Sequence, residues 1–310
     1  MPALSIVIPT LGRPRLLARV LDRLERQTRP GFEVLVVVDK QERDVAAVDA
    51  VVAGRSLPVR RLGAEQPGAS AARNVGWRAA LAPIILFLDD DVLPESALVD
   101  EHLKWHERYV DDRVGVLGQV RWADELKVTT FMRWLESGIQ FDYPRIEGIE
   151  AGWGRFYTAN VSVKRKLVES AGGFEEERLP FGHEDLELAR RMETLGFRLV
   201  YNRAASAEHV HPMDLDFWRR RVARIAISER QFVSMHPDVP PYFFEMFTAA
   251  ATAPPARGTG VHLAPWVPRS VPWLGHRVWR SVDAFYCQAL ADPFLAAWHE
   301  AGEDNSEAAI

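Results

Sequence analysis

Short apolar runs and stretches of helical spacing alternate over residues 4–89. "LSIVIP" (4–9) is rich in β-branched residues and stops at Pro9, which predicts a buried strand. Over 13–27, "RPRLLARVLDRLERQ" puts Leu17, Val20, Leu21 and Leu24 on one helical face, with Pro14 near the start where its missing N–H does no harm. "FEVLVVVD" (32–39) predicts a second strand, and "RDVAAVDAVVAG" (43–54) a helix that stops at Gly54. A strand at "PVRRLG", a helix at "ASAARNVGWRAAL" and the strand "IILFLD" complete the series. Such alternation predicts βαβ units, a mainly parallel sheet, and ligand sites at the carboxyl ends of the strands. Asp39 and the run Asp89, Asp90, Asp91 fall at such ends.

Beyond residue 95 the period loosens. Helices are predicted over 95–110, 129–138 and 183–196, the last with Leu188, Met192 and Leu195 on one face and Gly196 as its stop. "VGVLGQVRW", "FRLVYN" and "ASAEHVH" read as strands, and "FYTANVSVKRKLVESAGGF" as strand, turn and helix. Residues 138–155 show no period and read as a loop over the site. A long basic helix is predicted from Asp214 to Met235, then Pro pairs, a last helix near 276–298, and a frayed end over 300–310.

Composition narrows the partners. Lys and Arg number 38 against 43 Asp and Glu, a net charge of −5, which argues against nucleic acid as the main partner. The single cysteine, Cys287, excludes an intramolecular disulfide and fits a reducing compartment. The first apolar run is too short for a signal peptide, and no stretch reaches the ~20 apolar residues of a membrane span. A cytoplasmic protein is the expectation.

Three adjacent carboxylates ending a buried strand repel one another and are costly to bury without a counter-charge. They therefore predict a positive partner. Mg²⁺ or Mn²⁺ suits them, being held typically by one or two carboxylates together with a substrate's phosphates. On an ideal strand Asp89 and Asp91 face one way and Asp90 the other. Arg73 early in a helix, Glu184 and Asp185 at a helix start, and His209 and His211 two apart on a strand each have an ordinary reading taken singly: a solvated arginine, a cap, a packed pair.

Taken in order, "LSIVIPTLGRPRLLARVLDRLERQ", "EVLVVVD", "EQPGASAARNVGWRAALAPIILFLDDDV", "HEDLELARRMETLGF" and "HVHP" resemble the inverting glycosyltransferases of family 2, over residues 4–236. The resemblance implies an α/β fold of GT-A type: a Rossmann-like mixed, mainly parallel sheet flanked by helices, here with a helical C-terminal extension. It implies a nucleotide-sugar-binding half at 1–122, an acceptor-binding and catalytic-base half at 123–236, and the extension at 237–310. Carried over by position, Pro9, Thr10, Leu11 and Arg13 would lie at the donor nucleotide, with Asp39 on the base and Arg73 near base or diphosphate. Asp91 would bind Mn²⁺ or Mg²⁺, Asp89 or Asp90 would reach the ribose or a metal-bound water, and His209 or His211 would face the diphosphate or metal. Asp185 would be the catalytic base, with Trp153, Asn160, His183 and Glu184 on the acceptor side. The implied partners are a UDP-, dTDP- or GDP-linked sugar and a hydroxyl acceptor, which is a glycan, a lipid-linked group or a small molecule. Two departures touch donor recognition. Leu11-Gly12 stands where the family often has an aromatic-Asn pair, and "KQERD" where it often has a second Asp and Gly-Ser.

Other readings of the same residues remain open at this point. A Mg²⁺-dependent phosphohydrolase would use Asp89 as nucleophile and Asp91 as acid. Leu93 stands where that motif has a small Thr or Val, and the strand is not the chain's first. A non-catalytic sugar-nucleotide or glycan binding module would not need both Asp91 and Asp185. The basic helix, with Arg219, Arg220, Arg221, Arg224 and Arg230 beside Trp218, Val222 and Ile225, could lie on an anionic membrane surface, pack on the catalytic domain, contact the diphosphate, or form a homodimer face.

Overall fold

The computed structural model describes residues 1–307, with side chains through 302. In chain order the elements are β1 (Leu4–Thr10), α1 (Pro14–Leu24), β2 (Phe32–Val38), α2 (Val45–Val52), β3 (Val59–Gly63), α3 (Ala69–Ala79), β4 (Ile84–Leu88), β5 (Val92–Pro94), α4 (Leu98–Arg108), β6 (Val114–Trp122), α5 (Thr130–Leu135), β7 (Asn160–Lys164), α6 (Arg165–Ser170), α7 (Glu184–Thr194), β8 (Arg198–His209), α8 (Leu215–Met235), α9 (Tyr242–Thr252), α10 (Thr259–Leu263) and α11 (Leu274–Glu307). The chain divides into two compact units, one of residues 1–126 with 143–211, the other of 127–142 with 212–310.

The first unit holds one sheet in the order β3-β2-β1-β4-β7-β6-β8-β5. β3, β2, β1 and β4 pair in parallel, as their apolar runs separated by helices require. β7 enters antiparallel between β4 and β6, β8 runs parallel to β6, and β5 closes the edge antiparallel to β8. The parallel strands direct Thr10, Asp39 and Asp89 to one edge of the sheet, the edge where ligands bind in open α/β folds. Leu17, Val20, Leu21 and Leu24 of α1 are buried, as their spacing predicts. Leu188 and Met192 of α7 are buried too, but Leu195 lies past the end of that helix and is exposed.

Three sequence expectations change. The aspartates do not extend a strand: β4 stops at Leu88, and the three residues turn the chain into β5. The alternation of Asp89 and Asp91 against Asp90 therefore does not apply. The two strands expected at 197–202 and 205–211 are one strand, β8, whose pairing with β6 slips between Gly118 and Gln119, leaving Arg203, Ala204 and Ala205 as a bulge. The stretch expected to fray from residue 300 is helical through Glu307, and 308–310 lie outside the described residues.

In the second unit Asp214 caps α8 by accepting from Phe217 N at 2.7 Å. Trp218, Val222, Ile225, Ala226 and Phe232 of α8 are buried, and α8 packs with α11. Phe131, Trp134 and Tyr286 form an aromatic cluster with ring centroids 5.0–5.6 Å apart. The apolar face of the basic helix is buried and the helix packs with α11 of the C-terminal extension, a partner that none of the sequence readings names. No described helix is long and apolar enough to cross a membrane.

Candidate active site

Two arginines from the helices that follow strands divide the aspartate turn between them. Arg13, just before α1, pairs with Asp90 at 3.0 Å and with Asp91. Asp90 is buried and also accepts from Thr10 Oγ1 at 2.7 Å. Burial pushes its carboxyl up to about 7, with the Arg13 charge opposing. Arg73 of α3 is 4% exposed and reaches two carboxylates: Asp89 at 3.1 Å and Glu184 at 2.7 Å. Its guanidinium also lies 5.8 Å from the Phe174 ring centre. The positive partner predicted from three adjacent carboxylates is thus supplied by the protein itself, through two residues distant in sequence.

Asp39, after β2, accepts from Gln41 N at 2.8 Å and from Gly68 N at 2.7 Å. Gly68 starts α3 with φ +107°, and a Cβ there would lie 2.9 Å from the Pro180 side chain, so the turn that aims Arg73 excludes other residues. Pro9 lies within β1, and Leu11 is exposed beyond it. The two departures from the family pattern meet: Gly12 N donates to Glu42, which belongs to "KQERD".

At the start of α7, Glu184 is buried on Arg73 and Asp185 is partly exposed, accepting from Leu186 N at 2.8 Å. Burial and the neighbouring Glu184 charge raise the Asp185 carboxyl, with Arg73 opposing. His183 precedes them in the left-handed region, φ 55°. Trp153 is half-buried, its ring 5.9 Å from the Arg190 guanidinium of α7. Asn160 does not stand with these residues. It is fully buried in β7, donates to Gln119 O and Ala205 O, and accepts from His102 Nε2 at 2.9 Å. Its amide nitrogen holds the sheet and its bulge and its oxygen holds His102 of α4, so the amide expected on the acceptor side is already used within the fold.

His209 ends β8, and its Nε2 lies 3.9 Å from Asp91 Oδ1. Its ring packs edge-on to Trp122, with centroids 5.2 Å apart, and burial lowers its pKa against the pull of Asp91. His211 is further out, its ring centre 6.5 Å from that of His209. Among the described residues, no three His, Cys, Asp or Glu side chains gather into a cation cage. A shared cation does not need one. Donors about 2.1 Å from a six-coordinate ion stand about 3 Å apart when adjacent and about 4.2 Å when opposite. At 3.9 Å, Asp91 Oδ1 and His209 Nε2 match neither spacing, so a cation shared by the two would need a small side-chain shift; as oxygen and nitrogen donors they are of a kind that Mn²⁺ takes together with a substrate's phosphates.

The sequence profile described as glycosyltransferase-like family 2 matches residues 2–227. The chain belongs to this family. A validoxylamine A glucosyltransferase of Streptomyces hygroscopicus subsp. limoneus is 27% identical over 279 residues, covering 78% of this chain and 59% of that protein. A hyaluronan synthase of Pasteurella multocida is 28% identical over 226 residues, covering 62% of this chain and 23% of that one. This family 2 chain spans about 60% of the length of the validoxylamine glucosyltransferases it matches. Among solved structures, a Pyrobaculum calidifontis mannosyltransferase in complex with GDP-Man and Mn²⁺ aligns with a TM-score of 0.61 at 19% identity, covering 95% of this chain and 87% of that one. Residues 1–349 of Staphylococcus aureus TarS with UDP align at 0.54 and 14% identity, covering 98% and 92%. The GT-A type fold expected from the sequence, with its helical extension, is the fold observed.

Proposed function

We propose that this chain transfers a sugar from a nucleotide-diphosphate-sugar donor to a hydroxyl acceptor by a single inverting displacement, with Asp185 as general base. The observation that carries the proposal is the buried Arg73 bridge, which ties Asp89 at the strand ends to Glu184 beside Asp185. An in-line displacement needs two acidic centres with different tasks, one at the departing diphosphate and one at the acceptor proton. The aspartate turn and Asp185 suit those tasks, and Arg73 fixes one relative to the other.

Asp185 has a raised carboxyl pKa, so it accepts a proton more readily than a surface carboxylate, and a positioned base typically contributes ~10²–10⁴-fold. Asp91 and His209 would hold the cation, which when bound neutralises charge on the leaving diphosphate. Arg13 adds fixed positive charge beside the same carboxylates. Asp39 keeps lone pairs beyond its two backbone bonds and would accept from a ring N–H of the base. The GDP-Man and UDP of the structural neighbours support a nucleoside diphosphate donor without selecting one.

The test is release of free nucleoside diphosphate from a panel of UDP-, dTDP- and GDP-sugars with Mn²⁺ or Mg²⁺. Asp185→Asn is expected to lose at least ~10²-fold in turnover while the nucleotide still raises the melting temperature. Asp91→Ala should weaken metal-dependent nucleotide binding as well. Near-normal turnover in Asp185→Asn would remove the base assignment, and release of inorganic phosphate would favour the phosphohydrolase.

A further inference from the structure

Thirteen large apolar side chains stand exposed among the described residues, and five of them, Leu263, Trp266, Val271, Trp273 and Leu274, fall within twelve consecutive positions. The others are scattered, as surface apolar residues ordinarily are. Trp266 and Trp273 are 83% and 71% exposed, whereas Trp279, a few residues on, is buried with its indole N–H donating to Val267 O at 3.0 Å. The segment between α10 and α11 is therefore fastened from beneath by one tryptophan and presents two others outward.

Its backbone is held in turns. Trp266 N donates to Leu263 O, Val271 N to Pro268 O, and Gly275 N to Val271 O, with Pro265, Pro268 and Pro272 excluding helix. Trp273 occupies the left-handed region at φ 59°, a conformation unfavourable for a bulky residue by roughly 1–2 kcal/mol. A backbone already held in turns leaves less ordering cost when the two exposed rings meet a partner.

Charge selects the partner. No Asp or Glu occurs between Glu245 and Asp283, while Arg257, Arg269, Arg277 and Arg280 are exposed there. Glu136 lies within electrostatic reach of Arg269, but among the described residues no carboxylate forms an ion pair with Arg257, Arg277 or Arg280. Arg277 stands 5.3 Å from the Trp273 ring centre, joining cation and aromatic ring in one unit. Tryptophan prefers the headgroup level of a bilayer, and each arginine near an anionic leaflet adds favourable energy.

We infer that residues 257–280 form a docking surface for an anionic lipid bilayer, with Trp266 and Trp273 entering the headgroup layer. This places membrane contact on the α10–α11 segment, not on the basic helix α8. It concerns where the protein works and stands apart from the proposed chemistry.

The experiment uses the full chain with vesicles of phosphatidylcholine alone and of phosphatidylcholine with about one-third phosphatidylglycerol, a proportion giving a clear negative surface potential. Co-sedimentation is expected with the anionic vesicles only, weakening in high salt, with a blue shift of tryptophan emission and quenching by brominated lipid. Trp266→Ser/Trp273→Ser and Arg277→Gln/Arg280→Gln should each lower the partition coefficient about tenfold or more, with the melting temperature unchanged because the side chains are exposed. Equal binding to both vesicle types, no binding to either, or binding unaffected by the substitutions would overturn the proposal. So would a dimer in sedimentation velocity that Trp266→Ser/Trp273→Ser dissolves, which would assign the surface to a second copy of the chain.

Discussion

Replacing Arg73 by Met removes one guanidinium and leaves two carboxylates without it. The side chains of Arg73 and Glu184 are 5% and 8% exposed, and they meet at 2.7 Å. Breaking a buried pair by deleting one partner leaves an uncompensated charge and costs about 3–5 kcal/mol. Asp89 is about one-third exposed, so its 3.1 Å contact adds little after solvent screening. Arg73→Met should therefore destabilise the unit by about 3–5 kcal/mol, almost all of it assigned to Glu184. Glu184→Gln in the Arg73→Met background removes the orphaned charge and should recover most of the loss. Urea midpoints of the four proteins of this cycle, compared at equal slopes, measure the coupling. A loss under about 1 kcal/mol for Arg73→Met, or additivity within about 0.5 kcal/mol, would refute the claim that the bridge is a desolvated ion pair.

Two further outcomes follow from packing and burial. Gly118→Ala would place a Cβ 2.6 Å from Asn160 Cγ and against the Ala205 carbonyl, so overpacking should cost about 1–3 kcal/mol, read as a lowered melting temperature. Glu229 of α8 is buried and accepts from Phe243 N at 2.7 Å and Phe244 N at 2.9 Å, capping α9 from outside that helix. Burial raises its carboxyl from 4.5 to about 7, so between those values the folded state holds the proton more often than the unfolded chain. Stability should then be greatest below about 4.5 for this group and fall by about 3 kcal/mol as pH rises to about 7. The difference in unfolding free energy between the wild type and Glu229→Gln, measured across that window, checks it; a flat difference would show that Glu229 is ionised throughout.

Much of the first half of the fold can be read from the chain because each apolar run is long enough to carry its own period. β5 has three residues and no pattern, and β8 hides its continuity because Arg203, Ala204 and Ala205 bulge out where the strand would otherwise alternate. α9 and α10 lie among prolines that suggest turns. The aspartate cluster announces a counter-charge but not its source. Arg13 lies 78 positions from Asp91, and Arg73 lies 111 from Glu184, distances over which no periodicity speaks. Asn160 shows the opposite error: a polar residue near the expected site is used by the sheet, and only its contacts with His102, Gln119 and Ala205 reveal that.

The strand order has a consequence for how the protein is made. β3, β2, β1 and β4 complete their mutual pairings within the first 88 residues. β6 then leaves the ribosome with neither neighbour present, because β7 begins at Asn160 and β8 at Arg198. β5, which anchors the far side of the aspartate turn, pairs only with the end of β8, where Val92 meets His209 and Val210 N bonds Asp91 O at 3.0 Å. Pairings of such sequence separation form late. A nascent chain therefore exposes an unpaired β6 edge for about 80 residues of synthesis, at roughly 5–20 residues per second. The aspartate turn acquires its final shape only when the last strand of the sheet has emerged.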